Sequence, residues 1–228
     1  MRSPTRTTPP ATATATASAV ALWSGALSGV LLVLVTAEWG PLVSFDRAVA
    51  DGLHDSAVAS PALTHTNRVL SDWVWDPWTM RALIVVVVLW LWRRGRRLLA
   101  VWTAAVSAFG TALQQLLKAA VGRDRPRFTD PVDSAHYAAF PSGHAMTAAV
   151  TCGLVLWLLA LLGASRRVRL TTLVVGAVSV IGVGLTRMYL GVHWPSDVVA
   201  GWLLGACCVA VAVLTYERTV SRPAPTPR

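Results

Sequence analysis

The sequence predicts an all-α integral membrane protein: a six-helix bundle with a short interfacial helix in its first extracytoplasmic connection. The 228-residue chain is 54% hydrophobic and only 14% charged, with a mean hydropathy of +0.55. This composition is too apolar for an ordinary soluble domain. Windows without interior charge also recur six times, most near the roughly 20 residues that a helix needs to cross a bilayer. They cover residues 18–37, 82–92, 98–117, 145–164, 170–186 and 198–216.

The first window has two interpretations, because Arg2 and Arg6 precede it as they would precede a signal peptide. Its apolar run is longer than the roughly 7–15 residues of a typical signal core, so a retained span is favoured over cleavage after Thr36–Ala37. Residues 1–17, a Thr/Ala/Pro tract, are expected to be a disordered tail.

The second window is short, since only residues 82–92 are free of charge. Tryptophans before it and arginines after it can anchor such a helix at the two interfaces. In the preceding connection, about 39–77, Phe45, Val49 and Leu53 recur at helical spacing among charged residues. This pattern predicts the short interfacial helix.

The remaining four windows complete one domain over residues 18–216, followed by a second disordered tail over residues 217–228. Three cysteines, Cys152, Cys207 and Cys208, lie inside predicted spans without metal-ligand spacing, and they are interpreted as small packing residues.

The charge distribution predicts the orientation. With six spans, both termini and two arginine-rich connections lie on one side, which holds twelve cations and one acid, Glu217. By the positive-inside rule this side is cytoplasmic, and the net charge of +9 is a topology signal that gives no reason to expect nucleic acid binding. The opposite side still carries a group of cations that topology does not require: Lys118, Arg123, Arg125, Arg127 and Arg187.

Two motifs flank the connection between the third and fourth spans. Lys118 and Arg125 are seven residues apart, which places them on one face if the helix continues, and they suit different oxygens of one phosphoryl group. Snorkelling at the interface is the simpler alternative for this pair. At Pro141–His144, a proline opens a helix whose free N–H groups attract anions. Ser142 adds a donor, Gly143 permits close approach, and His144 can protonate a leaving oxygen.

A third motif follows the fifth span, where Arg187 precedes His193 and Asp197. A carboxylate four residues after a histidine can accept the Nδ1 proton and leave the Nε2 lone pair free to attack phosphorus. Alternatively, Asp197 merely complements a helix N-terminus and His193 is an interfacial residue.

In order and spacing, the three motifs resemble the signature of the type 2 phosphatidic acid phosphatase (PAP2) superfamily. The matching segments are Lys118-AAVGRD-Arg125-Pro126, PSGH at 141–144, and Thr186-Arg187-MYLGV-His193-WPS-Asp197. The one departure is Thr186, where the family usually has serine. The close match covers about residues 118–197, and the six-span layout extends it over most of the chain.

The resemblance implies a two-step phosphoryl transfer without a metal or other cofactor. His193 is then the nucleophile, Asp197 its orienting partner and His144 the general acid and later the base. The phosphate oxygens are held by the remaining motif residues, namely Lys118, Arg125, Ser142, Gly143 and Arg187. Arg123 and Arg127 are candidates for a second phosphate or a lipid headgroup.

The implied protein is a lipid phosphate phosphatase of the cell membrane, with cytoplasmic termini and an extracytoplasmic site that lipids reach from the bilayer. A polyprenyl diphosphate ranks first as substrate, followed by phosphatidate or phosphatidylglycerophosphate. A non-catalytic phospholipid-binding or translocating protein is the first alternative, although binding alone needs no oriented imidazole. A vanadate-dependent haloperoxidase relative is the second, and the spans argue against it. The sequence leaves the oligomeric state open.

Overall fold

All regular secondary structure in the described part of the chain is helical. The computed structural model describes residues 11–221, and the side chains of residues 14–219. In chain order the helices are α1 (Ala11–Thr36), α2 (Gly40–Ala59), α3 (Pro61–Val69), α4 (Pro77–Arg93), α5 (Arg97–Val121), α6 (Gly143–Leu161), α7 (Arg166–Tyr189) and α8 (Pro195–Ser221). A π-helical turn, Leu70–Val74, links α3 to α4.

Several helix ends follow from local sequence. Asp76 caps α4, its side chain accepting a hydrogen bond of 2.6 Å from the Trp78 amide, and Ser165 caps α7 in the same way through the Val168 amide at 3.4 Å. Gly122 ends α5 with a φ of 63°, a conformation that favours glycine. These caps fix where the polar connections begin.

Five stretches of the described chain are long and apolar enough to cross a membrane. They are Thr14–Thr36, Pro61–Arg93, Gly143–Leu161, Arg166–Tyr189 and Pro195–Thr219. Helix α5 is not among them, because Gln114, Gln115 and Lys118 lower its hydropathy. The all-helical membrane fold is therefore confirmed, whereas the count of six spans and the interfacial position of α2 stay predictions.

The helix ends differ from the sequence-based boundaries. Helix α1 begins at Ala11, seven residues before residue 18, where the membrane domain was predicted to begin; alanine, the best helix former, alternates through this tract. Helix α8 likewise continues to Ser221, beyond the predicted end at residue 216. Residues 1–10 and 222–228 of the predicted tails lie outside the described residues.

Helix α6 lies at the centre, where it packs against α4, α5, α7 and α8, and α1 packs along α8. A buried cluster of Ile84, Met146, Val150, Leu154 and Cys208 joins α4, α6 and α8. Helices α6 and α8 approach closely through two glycines one turn apart: a Cβ at Gly201 would lie 2.7 Å from the Ser142 carbonyl oxygen, and one at Gly205 2.6 Å from the Ala149 Cβ.

Three connections between helices meet at the end of the bundle where α6 and α8 begin, and we call this end the site end. They are the α2–α3 region, the long segment 122–142 and the short turn 190–194. The connections 94–96 and 162–165 lie at the opposite end. A mostly apolar cavity of about 1060 Å³ opens between α1, α6, α7 and α8; its wall runs from Ala149 and Trp202 to Arg169 and Glu217.

Candidate active site

Backbone hydrogen bonds hold segment 122–142 across the site end. The Ala139 amide donates to the Arg123 carbonyl at 2.8 Å, and the Ser142 amide donates to the Asp197 carbonyl at 2.9 Å. The second bond ties the start of α6 to the first turn of α8. The three sequence motifs, which are far apart in the chain, thereby become neighbours.

His193 and Asp197 form a buried pair at the start of α8. The His193 Nδ1 lies 3.4 Å from the Asp197 Oδ2, which also accepts a 3.0 Å hydrogen bond from the Trp194 amide. Both side chains are buried, with 2% and 0% exposed. The other ring nitrogen, Nε2, faces the opposite way and lies 3.2 Å from Nη1 of Arg125. If Nδ1 carries the proton, Nε2 presents its lone pair to the cations around it.

Lys118 and Arg125 are held by backbone carbonyl oxygens. The Lys118 ammonium group donates to the carbonyls of Ala138 and, at 3.4 Å, Ala139. The Arg125 guanidinium group donates to Tyr137 at 2.9 Å, to His136 at 3.2 Å and also to Val192. These acceptors are neutral, so both cations keep their net positive charge available for an anion.

Arg187 approaches from the end of α7 and is nearly buried, with 5% of its side chain exposed. It donates to the Ser71 hydroxyl at 2.8 Å, and the carboxylates of Asp72 and Asp133 lie 3.6 and 3.8 Å away. Its Nε is buried without a hydrogen-bond partner among the described residues. A buried donor of this kind is one that an anion can satisfy.

The start of α6 supplies the remaining motif residues. Ser142 is fully buried, and its hydroxyl has no partner in the part of the chain that the structure describes. A Cβ at position 143 would lie 2.5 Å from the side-chain amide nitrogen of Gln114, so a larger residue here would displace that side chain. His144 is half-buried and interacts electrostatically with Lys118, Arg125, Arg187 and His193.

The electrostatics favour a neutral His193 and an anionic ligand. Burial, followed by the charges of Arg125, Arg187 and Lys118, holds the pKa of His193 well below its usual value of 6.5. Burial and the nearby Arg187 also lower the pKa of Arg125 to about 10. At neutral pH the pocket therefore combines an uncharged imidazole with positively charged side chains, an arrangement that suits a phosphoryl group.

The structure separates two arginines that the sequence grouped together. Arg127 is 80% exposed and pairs with the equally exposed Asp124 at 2.9 Å. Arg123 instead points into the protein, where it contacts Asp46 at 2.7 Å and Asp197 at 2.6 Å. Arg123 is thus engaged by two carboxylates, which argues against its expected contact with a second phosphate or a headgroup.

Asp46 was missed by the sequence reasoning, although a signal for it exists. Residues Asp46, Ala50, His54 and Ala57 form the buried face of α2, while Phe45, on the predicted apolar face, is 57% exposed. A carboxylate that lies on the same helix face as two alanines indicates a face that packs on protein. Ser71 and Asp72, beside Arg187, had no comparable pattern.

The carboxylates of segment 122–142 do not converge. Asp124 pairs with Arg127, and Asp133 lies near Arg187. Asp130 lies 3.1 Å from His54, a hydrogen bond that lowers the pKa of this carboxyl. Among the described residues, no group of three or more His, Cys, Asp or Glu side chains has the geometry to hold a metal ion.

Comparison with known proteins identifies a family model, relatives and a solved structure to which this chain is similar. The model of a family described as the PAP2 superfamily matches residues 98–221. Phosphatidylglycerophosphatase B of Bacillus subtilis (strain 168) is 37% identical over 101 residues, which are 42% of this chain and 49% of that protein. The chain thus spans about half the length of this relative. Decaprenylphosphoryl-5-phosphoribose phosphatase of Mycobacterium tuberculosis (strain H37Rv) is 33% identical over 169 residues, 72% of this chain and 86% of that one.

A solved structure has the same fold. It is a transmembrane PAP2-type phosphatidylglycerolphosphate phosphatase from Bacillus subtilis, with a TM-score of 0.74 and 22% identity. The alignment covers 88% of this chain and 98% of the other. Together with the five apolar stretches, this likeness establishes a multi-pass membrane protein.

Proposed function

Because the chain belongs to the PAP2 superfamily, we propose that it is a membrane lipid phosphate phosphatase that works through a phosphohistidine. The observation that carries this proposal is the orientation of one imidazole. His193 turns Nδ1 toward the Asp197 carboxylate and Nε2 toward the Arg125 guanidinium group. A protein that only bound phosphate would need the cations but not this orientation.

In the first step, the His193 Nε2 attacks phosphorus as the bond from phosphorus to the lipid oxygen breaks. The imidazole then carries a positive charge, and the adjacent Asp197 carboxylate stabilises it through Nδ1–H. His144, which is protonated in the complex because the anionic phosphoryl group offsets the cations around it, gives its proton to the leaving oxygen. Lys118, Arg125 and Arg187 hold the phosphoryl oxygens as charge shifts toward the leaving group.

The second step releases inorganic phosphate. His144, now neutral, takes a proton from water as the water oxygen attacks phosphorus, and the phosphorus–nitrogen bond to His193 breaks. This restores the starting protonation states of both histidines. Ser142, whose buried hydroxyl lacks a partner among the described residues, donates to a phosphoryl oxygen. The free N–H groups at the start of α6, at Gly143 and beyond, hold the same anion.

The membrane arrangement that we propose has six spans, with α5 as the sixth beside the five apolar stretches. Both termini are cytoplasmic and the site end is extracytoplasmic, as the positive-inside rule requires. Helix α2 lies at the interface, since its outward residue Phe45 is 57% exposed while the adjacent Asp46 is only 1% exposed.

The substrate that we propose is a phosphate ester or diphosphate of a long-chain lipid, with polyprenyl carriers ahead of phosphatidate and phosphatidylglycerophosphate. The relative aligned over most of its length is named for a decaprenyl-linked phosphate. The cavity of about 1060 Å³ can take a hydrocarbon tail. Its lining residues Ala149 and Trp202 follow the site residues His144 and Asp197 by five residues each, so they mark the end of the cavity nearest the site. About 300–1000 Å³ is typical of a ligand pocket.

The test is phosphate release by purified protein in detergent, with chelator present, from a panel of these lipids. We expect release by the wild type, a loss of about 10⁴-fold or more in His193→Ala, and a loss of about 10²–10⁴-fold in His144→Ala. An active His193→Ala variant would refute the nucleophile. A wild type that binds lipid phosphates without cleaving any would instead support the binding protein.

A further inference from the structure

We infer that Arg123 is a positioning residue that holds Asp197 against His193, and that Asp46 on α2 holds Arg123 in turn. This inference rests on the proposed function. It adds a second layer behind the catalytic pair and makes α2, a helix outside all three motifs, a part of the catalytic apparatus.

The contacts divide the two Asp197 oxygens between two tasks. Oδ2 faces His193 Nδ1 at 3.4 Å and accepts the Trp194 amide at 3.0 Å, whereas Oδ1 accepts from Arg123 Nη1 at 2.6 Å. Because Arg123 fixes Oδ1, the carboxylate cannot rotate about its own axis without breaking a charge-assisted hydrogen bond. Through Oδ1, Arg123 therefore sets the orientation of Oδ2 and, with it, the tautomer of His193.

Asp46 fixes Arg123 and the first turn of α8 together. Its Oδ2 accepts from Arg123 Nη2 at 2.7 Å and from the Ser196 hydroxyl at 2.5 Å, and its Oδ1 accepts from the Ser196 amide at 3.0 Å. The Ser196 hydroxyl also accepts from Arg123 Nη1 at 2.7 Å. The Arg123 Cζ lies 5.6 Å from the centroid of the Trp194 ring, a cation–π contact.

Burial makes these contacts costly to break, because an unpaired charge would be left away from water. The side chains of Asp46, Asp197 and Arg123 are 1%, 0% and 14% exposed. Two carboxylates this deeply buried would repel each other without the cation between them, and the planar guanidinium group reaches them with separate nitrogens, Nη1 for Asp197 and Nη2 for Asp46. The identity of residue 123 as arginine is thus explained by the two carboxylates that it joins.

The charge of this network complements the reaction. Asp46, Arg123 and Asp197 carry a net charge of −1 beside a neutral His193. When the His193 ring becomes a positively charged imidazolium in the phosphohistidine, the ring and the three network groups sum to zero, while Lys118, Arg125 and Arg187 face the anionic phosphoryl oxygens. The network therefore favours the charged intermediate over the resting state, which is the property a catalytic environment needs.

Arg47 provides a matched control. It has the same side chain, lies next to Asp46 on α2 and is exposed. We expect Arg47→Gln to leave kcat and KM unchanged. For Arg123→Gln we expect kcat to fall about 10–100-fold, since a misplacement of about 1 Å costs on the order of 10²-fold. KM should change less than about twofold, because Arg123 does not touch the substrate. Arg123→Lys should restore part of kcat.

The pH dependence distinguishes positioning from a merely structural role. Asp46→Asn keeps an acceptor for Ser196 but removes one negative charge behind His193, so we expect the acid limb of kcat/KM to move to lower pH. Substrate titration is the same for both proteins and cancels in this comparison. The charged or titratable groups that face His193 are Lys118, Arg125, His144, Arg187 and Asp197.

The double variant Arg123→Gln/Asp46→Asn removes opposite charges together, so its net charge stays at −1 and no second carboxylate is left opposing Asp197. We expect a reduced kcat with the acid limb at its wild-type position. Thermal unfolding in detergent identifies the folded variants. Wild-type kcat in folded Arg123→Gln or in the double variant overturns the inference. A wild type that releases no phosphate would refute the proposed function instead.

Discussion

The close approach of α6 and α8 at Gly201 makes a sharp prediction about how packing controls the site. A Cβ at this position would lie 2.7 Å from the Ser142 carbonyl oxygen, 3.0 Å from the Ala145 Cβ and 3.1 Å from the Met146 amide nitrogen. The first and third of these are backbone atoms, which cannot rotate away. Gly201→Ala therefore has to separate the two helices.

The size of the separation follows from the same distances. Ordinary van der Waals contact begins at 3.4 Å, so the 2.7 Å approach requires the helices to part by about 0.7 Å. Overpacking of this kind costs about 1–3 kcal/mol of stability. The displacement lies one turn from Asp197 and directly at Ser142, so we also expect kcat to fall by about 10–100-fold.

The assay combines thermal unfolding in detergent with phosphate release by the same preparations. Gly29→Ala is the matched control, because Gly29 is also a helical glycine and a Cβ there meets nothing within 4 Å. We expect this control to turn over like the wild type and to unfold at the same or a slightly higher temperature, because alanine is the better helix former. If Gly201→Ala matched Gly29→Ala in both measurements, the contact between α6 and α8 would not position the site.

Three further outcomes are expected. Falling pH should abolish the proposed activity by protonating His193. Because burial and the neighbouring cations lower the pKa of this residue, the acid limb of kcat/KM should have its midpoint below pH 6.5, and a midpoint above 6.5 would contradict the electrostatics. Ala206→Phe, in the cavity wall, should raise KM about tenfold for long-chain but not for short-chain lipid phosphates, because the larger side chain fills space proposed for the tail. Ala105→Phe, on the exposed face of α5, should leave KM unchanged for both classes of lipid. A cysteine in place of the exposed Ser134 should react with an impermeant thiol reagent in intact cells, with the wild type as background; labelling only after lysis would reverse the orientation.

Local spacing explains why much of the candidate site could be predicted from the sequence. His193 and Asp197 are four residues apart across a helix start, so their approach depends on one turn of backbone. The proline before Ser142 likewise marks the start of α6. The structure brings together the residues of all three motifs, and their catalytic roles stay predictions.

The contacts that hold these residues depend on partners far away in the chain. Arg123 and Asp46 are 77 residues apart, and Arg187 and Ser71 are 116 apart. No local period relates such pairs, because tertiary packing alone decides which polar groups meet. The face of α2 was obscured for the same reason: Phe45, Val49 and Leu53 give the apolar pattern, whereas the face that packs on protein begins at Asp46.

Neighbouring residues of α2 thus belong to different environments. Phe45 points outward at the level proposed for the membrane surface, and Asp46 points inward to the Arg123 guanidinium group. If α2 lies at the membrane surface as proposed, lateral pressure on it would reach the Asp46–Arg123 contact, since no hinge separates adjacent residues within a helix. We then expect phosphate release in vesicles to differ between thin and thick bilayers.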